Sequence, residues 1–525
     1  QHPRIPMTHS ISVGARRLAF VGLLAATLSG VAAAQAEPPL SRDLRMPWDS
    51  GSVANTGAER AVVISKTVHV ADADWLRVFF QHAELAGDPG DGTGSIVRIT
   101  SFLDGAVQEL DSVTLGQWNL SSAYMNGDTV QIDVEAAPGT GDNRLVLDRV
   151  TASLAGVIKS QCGPTDDRVL SSDPRSARVL PVGCSAWMFD DCKHCFGTAG
   201  HCSGSSLSVV QFNVPLSNGN GSLNNPPPED QYSVDVSSKQ AVNGGVGNDW
   251  GYFGVFPNSN TGLTPFQAQG DAYNLSVPPP FNGSNQIRIT GYGTDSSPLT
   301  SNQVQQTHVG PWAAFGGTTL NYQADTTGGN SGSPVIHELT GDVIGVHTHG
   351  GCSTSGTGAN AGTGANSFGW QAALASPKGV CQVQAGTSTY CTAKSTDFNC
   401  IPTISSVGNP SISGGPGSFL ITSANQVNDQ NGLMIYGTLP NNAPFLGGFL
   451  CVGGAVVRTG GQNTGGSSFC TGAYSFDMGG LIASGTDPKL SCGAILYAQF
   501  WTRDTTAAPP NNVNLTQGLQ FEIGG

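Results

Sequence analysis

Charge is scarce in this 525-residue chain: Asp, Glu, Lys and Arg together make up 11% of it, with acids outnumbering bases 37 to 23. A net charge of -14 and the lack of any Lys/Arg cluster argue against a nucleic-acid partner, because phosphate binding draws on grouped cations. Beyond residue 34 no stretch is long and apolar enough to cross a bilayer. Heptads, repeats of solenoid period and charged low-complexity tracts are also missing, which removes coiled coils and repeat arrays. Cysteine is absent from Glu37 to Gln161, although twelve occur in the rest of the chain.

What is abundant is Gly (71) and Pro (31), a profile of short strands and many turns. The length suggests about three domains at roughly 150 residues each. Residues 1–36 read as a secretory signal peptide: Arg16 and Arg17, the apolar run LAFVGLLAATLSGVAAA (18–34), and a small-x-small site cut after Ala36. A membrane anchor is the competing reading, but the run is short and rich in Gly and Ala. Export makes an even cysteine count a disulfide signal rather than a redox or metal one. A secreted, extracellular or periplasmic protein with no membrane association after signal cleavage is expected.

Alternating segments such as AVVISKTVHV (61–70), IVRITSFL (96–103), TVQIDVEA (129–136) and LVLDRVTASL (145–154) predict an N-terminal β-sandwich over 37–158. It would serve as a propeptide or as a binding module. A middle domain over 159–395 holds most of the aromatic and cysteine punctuation. A C-terminal β-rich domain over 396–525 is predicted from strands such as SFLITSA (418–424) and AILYAQFW (494–501). The linker SQCGPTDDRVLSSDPRSARVLP (160–181) carries arginines that another protease could cut to release the first domain.

Three motifs in the middle domain carry chemistry. FGTAGHC (196–202) presents His201 at a strand end, GNDWGYFGVF (247–256) puts Asp249 at the head of an apolar strand, and DTTGGNSGSPV (325–335) surrounds Ser331 with glycines. Asp230 and Asp235 also lie between the outer two, but only Asp249 leads an apolar strand. A carboxylate there needs a hydrogen-bonding or cationic partner, which an imidazole would supply.

Taken in the order His, Asp, Ser, these blocks resemble the signatures of the trypsin-like (chymotrypsin-fold) serine endopeptidases. DTTGGNSGSPV with IGVHTHGG (344–351) is most similar to the glutamyl endopeptidase branch. The match covers about 180–380 and implies a mainly β protein with a central double β-barrel. It also implies hydrolysis of protein or peptide substrates through an acyl-enzyme. Ser331 would be the nucleophile, His201 the general base and acid, and Asp249 the group that holds the imidazole. The backbone N–H groups of Gly329 and Ser331 would form the oxyanion hole. No cofactor or metal is implied, and the oligomeric state is not legible.

Departures from the family pattern matter. Asn330 stands where trypsins use an aspartate to bind a freed N-terminal ammonium, which argues against that activation route. Asp325 occupies the position of the trypsin pocket acid that binds Lys or Arg, whereas Thr326 and His347 match residues lining a glutamyl-type pocket. The two conflict, and the local wording favours Glu/Asp over Lys/Arg. Thr348 is expected to support Asp249 through its hydroxyl, and His349 to be a wall residue with no charge role. Thr327 replaces one cysteine of the pocket disulfide, so Cys352 needs another partner, for which Cys381 is the expectation. Cys184 with Cys202 would staple the histidine loop. Cys192 and Cys195 read as disulfide cysteines, with a zinc half-site including His194 as the competing reading. A catalytically silent trypsin-fold adhesion protein is the alternative function. An esterase is disfavoured because GNSGS (329–333) is not a Gly-x-Ser-x-Gly elbow.

Overall fold

In the computed structural model, residues 33–154, 162–383, 386–396, 398–505 and 507–525 are described. The predicted signal peptide lies outside the described residues up to residue 32, as does the linker from 155 to 161.

Period-two burial builds the N-terminal part. In Ile96–Ser101 and Thr129–Ala136 every second side chain is buried, as a strand with one wet face requires. A four-stranded and a five-stranded antiparallel sheet form from residues 41–153. Val97, Ile132 and Val134 of one sheet meet Val78, Leu147 and Val150 of the other in one core. That core also takes in Leu180, Val209 and Leu223 from the next domain. Across the same boundary the buried Arg77 donates to Ser208 Oγ at 2.9 Å.

Twelve strands form the middle domain. The first six are β1 (Ser176–Leu180), β2 (Cys184–Met188), β3 (Phe196–Thr198), β4 (Val209–Gln211), β5 (Gln231–Asn243) and β6 (Asp249–Val255). The second six are β7 (Gln286–Gly291), β8 (Gln306–Gly316), β9 (Thr319–Tyr322), β10 (Pro334–His337), β11 (Val343–Gly350) and β12 (Asn360–Gly364). The first set closes in the order β1-β2-β3-β6-β5-β4, and the second in the order β7-β8-β9-β12-β11-β10. The two barrels therefore share one connectivity. This doubled six-stranded barrel is the chymotrypsin fold. A layer including Trp187, Trp250, Val346 and Trp370 packs together residues of both barrels and of the helix Phe368–Leu374.

The linker is not a loose tether where it is described. Arg168 and Arg178 are buried, and Arg175 pairs with Asp173 and Asp271, so none of the three stands out as a free cleavage site. The C-terminal part begins earlier than predicted: Thr387–Tyr390 already pairs with Gly518–Glu522, nine residues before the expected boundary at 396. Its own core gathers Ile404, Phe419, Tyr436, Phe500 and Phe521. Among the described residues no helix is long and apolar enough to span a membrane.

One expected cysteine pairing needs correction, while Cys192 and Cys195 are disulfide cysteines as expected. Cys184 and Cys202 are joined, but Cys352 pairs with Cys162 rather than Cys381. Cys192 and Cys195 do not pair with each other: Cys192 bonds Cys492 and Cys195 bonds Cys381. The reason lies in burial. Cys195 turns into the layer around Trp187 and Trp250, where Cys381 lies, whereas Cys192 faces the C-terminal domain, which also supplies Glu522 to pair with Lys193. Cys391–Cys451 and Cys400–Cys470 complete six bridges.

Candidate active site

Strand β3 ends at Thr198, and a single 3-10 turn, Gly200–Cys202, then carries His201. Asp249 opens β6 and is fully buried. Its Oδ2 lies 2.6 Å from His201 Nδ1, and its Oδ1 accepts the His201 backbone N–H at 3.0 Å. A carboxylate that binds both the ring and the backbone of one histidine fixes the ring's rotation and keeps the proton on Nδ1. Nε2 is left as the acceptor. It is buried and has no hydrogen-bond partner among the described residues.

Thr348 does not play its predicted part. Its hydroxyl donates to Ala361 O at 3.2 Å, and it is Thr363 Oγ1 that accepts the Asp249 N–H at 3.0 Å. The sequence reading chose the wrong strand: β11 and β12 are neighbours, and the side chain that meets Asp249 comes from β12.

Ser331 lies in the turn between β9 and β10. Gly329 adopts φ +96° there, and a Cβ on it would lie 2.4 Å from Tyr292 O. Only glycine meets both conditions, and the result is an amide aimed inward. Asn330 braces the turn through its side-chain oxygen, which accepts the Thr327 N–H at 3.0 Å. The buried Arg168 donates to Thr327 Oγ1 at 2.8 Å and to Asn330 Oδ1 at 3.4 Å, while Asp166 neutralises it at 2.6 Å. Sequence reading missed Arg168, which has no motif around it.

His201 and Ser331 are not hydrogen-bonded to each other. The Ser331 hydroxyl accepts the Gln35 N–H at 2.9 Å and donates to Thr348 O at 3.2 Å. Ser331 is nevertheless next to the histidine turn, since its carbonyl lies 3.8 Å from Cys202 Sγ. The predicted pair of amides converges on one atom: Gly329 N and Ser331 N point at Gln35 O, at 2.5 and 3.4 Å.

Beside this lies a pocket filled by the Gln35 side chain. Gln35 Oε1 is 2.5 Å from His347 Nε2, and the Tyr322 hydroxyl is 2.6 Å from His347 Nδ1. Burial, helped by the nearby His349 and His201, pushes the His347 pKa down to about 3. The ring is therefore neutral at ordinary pH. Burial raises the Tyr322 hydroxyl well above its usual range, so it remains a protonated donor. With Nδ1 accepting that proton, Nε2–H faces the pocket and donates to Gln35. Gly350 forms one wall, where a Cβ would lie 2.3 Å from Gln35 Nε2.

Asp325 is committed elsewhere. Its two oxygens accept the backbone N–H groups of Cys162 and Asp167, each at 2.8 Å, and its own N–H goes to His308 Nδ1 at 2.8 Å. Thr326 is buried, and its hydroxyl accepts from Asn360 at 2.9 Å. His349 sits edge-on to His201 with ring centroids 6.1 Å apart. Burial lowers its pKa, with Asp249 opposing and His201 reinforcing that shift.

Among the described residues two side-chain groups have metal-like proximity, Cys184/His201/Cys202 and Asp167/His308/Asp325. In the first the sulfurs are tied up in a disulfide, and in the second the Asp325 oxygens and His308 Nδ1 already accept backbone N–H groups while Asp167 Oδ1 accepts the Thr165 hydroxyl. The zinc half-site reading fails too, because both its cysteines are in disulfides and His194 stacks on Phe266 at 3.6 Å.

No family model matches this chain, and no curated protein matches it in sequence. Among solved structures it is similar to a Glu endopeptidase in complex with MPD, at 18% identity and a TM-score of 0.33, covering 41% of this chain and 99% of that one. It is also similar to a thermostable serine protease from an extremophilic microorganism, at 17% identity and a TM-score of 0.31, covering 39% and 98%.

Proposed function

We propose that this chain is a secreted serine endopeptidase that cuts peptide bonds following glutamine or glutamate. The observation that carries this reading is the position of the Gln35 carbonyl: its oxygen faces the Gly329 and Ser331 amides, with the Ser331 hydroxyl bonded to the N–H of the same residue. In the reaction Ser331 Oγ attacks the carbonyl carbon while His201 Nε2 takes the hydroxyl proton. Asp249 stabilises the imidazolium, and the two amides receive the negative charge that develops on oxygen. His201 then gives its proton to the departing amine, and water hydrolyses the acyl-enzyme by the same route.

The side-chain preference rests on His347. A neutral N–H fits a side-chain carbonyl or carboxyl oxygen and offers nothing to an ammonium or guanidinium, and the Asp325 carboxylate is already occupied. The six disulfides fit an extracellular or periplasmic location. Labelling with a fluorophosphonate, followed by cleavage of a peptide library, tests the reading. Wild type should label and Ser331→Ala should not, with hydrolysis falling by about six orders of magnitude. Absence of labelling in wild type would instead support a silent scaffold.

A further inference from the structure

Residues 33–37 cross the site from one side to the other, and we infer that the Gln35–Ala36 bond is the protein's own first substrate, cut in cis by Ser331. The inference rests on the endopeptidase reading and adds to it a target within the chain.

Contacts on both sides of the bond fix its register. Ahead of it, Ala33 and Ala34 extend the second barrel's sheet, pairing antiparallel with Gly350 and His349 of β11. At the bond, the Gln35 carbonyl takes the two amides and its side chain takes the pocket. Beyond it, Ala36 packs on the core of the first barrel. The Glu37 N–H then donates to Gly183 O at 2.8 Å, and Glu37 O accepts from Gln303 Nε2 at 2.7 Å. Sliding the segment by one residue, to present the Ala36–Glu37 bond expected for signal cleavage, would turn each strand side chain to the opposite face. It would also put a methyl group where His347 needs an acceptor. The geometry thus selects one bond.

The chemistry balances with water as the only co-reactant. Ser331 rotates its hydroxyl from Thr348 O toward His201 Nε2 and forms an ester with the Gln35 carbonyl carbon. The bond to Ala36 nitrogen breaks, and that nitrogen leaves as an amine carrying the proton from His201. Water then splits the ester, giving a carboxylate on Gln35 and restoring the Ser331 hydroxyl. The tether favours reaction within one chain, because Ser41–Asp49 is already a strand of the sandwich only a few residues beyond the bond. Until the bond is cut, residues 33–37 fill the groove that any other polypeptide would need.

The test uses the full chain made in a cytoplasm without signal peptidase, unfolded and then refolded under oxidising conditions, with intact mass, N-terminal sequencing and fluorophosphonate labelling on each sample. Wild type should come to start at Ala36, at a rate independent of protein concentration. Ser331→Ala and Gln35→Arg should both keep the residues ahead of Ala36, whereas Gln35→Glu, which still offers His347 an acceptor, should be cut at the same bond and then label. A labelled wild type that starts anywhere else overturns this inference and leaves the endopeptidase reading standing. So does a start at Ala36 in Ser331→Ala. Formation of Ala36 ends at a rate that rises with concentration overturns the intramolecular route. A wild type that neither labels nor processes overturns both.

Discussion

Burial holds the His347 ring neutral, and that makes the proposed preference for glutamine or glutamate measurable. A free glutamate side chain is ionised above about pH 4.3, and His347 is uncharged above about pH 3. Enclosing a carboxylate beside a neutral ring therefore draws in one proton, on either partner, that glutamine does not need. The complex with glutamate holds one more proton than its free components, so its formation improves as pH falls. The ratio of kcat/KM for Glu over Gln peptides should rise toward lower pH, by up to about tenfold per unit, between pH 8 and 5. Effects of pH on steps common to both substrates cancel in the ratio. Removing the donor with His347→Leu should lower kcat/KM for Gln peptides by about ten- to a hundredfold, roughly the worth of one buried hydrogen bond and the group left unpaired. Gly350→Val should close the pocket, raising KM for Gln and Glu peptides while alanine peptides are still cut. Matched kinetics on a Gln, Glu and Ala series reads all three.

At the scale of elements, the turn from 327 to 333 depends on a cation supplied from far upstream. Arg168→Met would leave Asp166 without its guanidinium and take a donor away from both Thr327 and Asn330. Breaking a buried pair on one side costs about 3 to 5 kcal/mol. We expect a lower Tm by calorimetry, together with a loss of kcat larger than the change in KM, because the two amides are set by that turn. What was legible here followed locality. His201, Asp249 and Ser331 each sit where a short block ends or opens a strand, and Gly329 announces itself because the turn needs positive φ. Arg168 and Asn330 meet across 162 residues, and His347 and Gln35 across 312, so no window of sequence joins them. The Thr348 and Thr363 exchange is of another kind, since it depends on which of two neighbouring strands faces Asp249. Strands themselves were readable from period two, whereas closure of two barrels in one shared order is a property of pairing between distant segments.

Across the whole molecule, the domains are joined more firmly than a beads-on-a-string reading of the composition suggests. The sandwich shares its core with the first barrel, and the C-terminal domain is bound to the histidine-bearing barrel by Cys192–Cys492 and the Lys193–Glu522 pair. The paired change Cys192→Ser with Cys492→Ser should lower the stability of the C-terminal domain by about 2 to 4 kcal/mol. Hydrolysis of short peptides should be unaffected, since neither cysteine lines the pocket. Denaturant unfolding followed beside a peptide assay separates the two effects. The cysteine pairing was the least readable feature at this scale: Cys192 finds its partner 300 residues away, and only the docking of one domain on another decides it.

The antiparallel pairing of Ala33 and Ala34 with β11 has a consequence for what such a groove can admit. A visitor that must lie down as one more ribbon of the sheet is read through its main chain, which is alike in all sequences, and helices or tightly folded loops present no such ribbon. Discrimination then falls on the single side chain that drops into the pocket, and susceptibility in any target protein would follow its frayed and unfolded stretches more than its sequence.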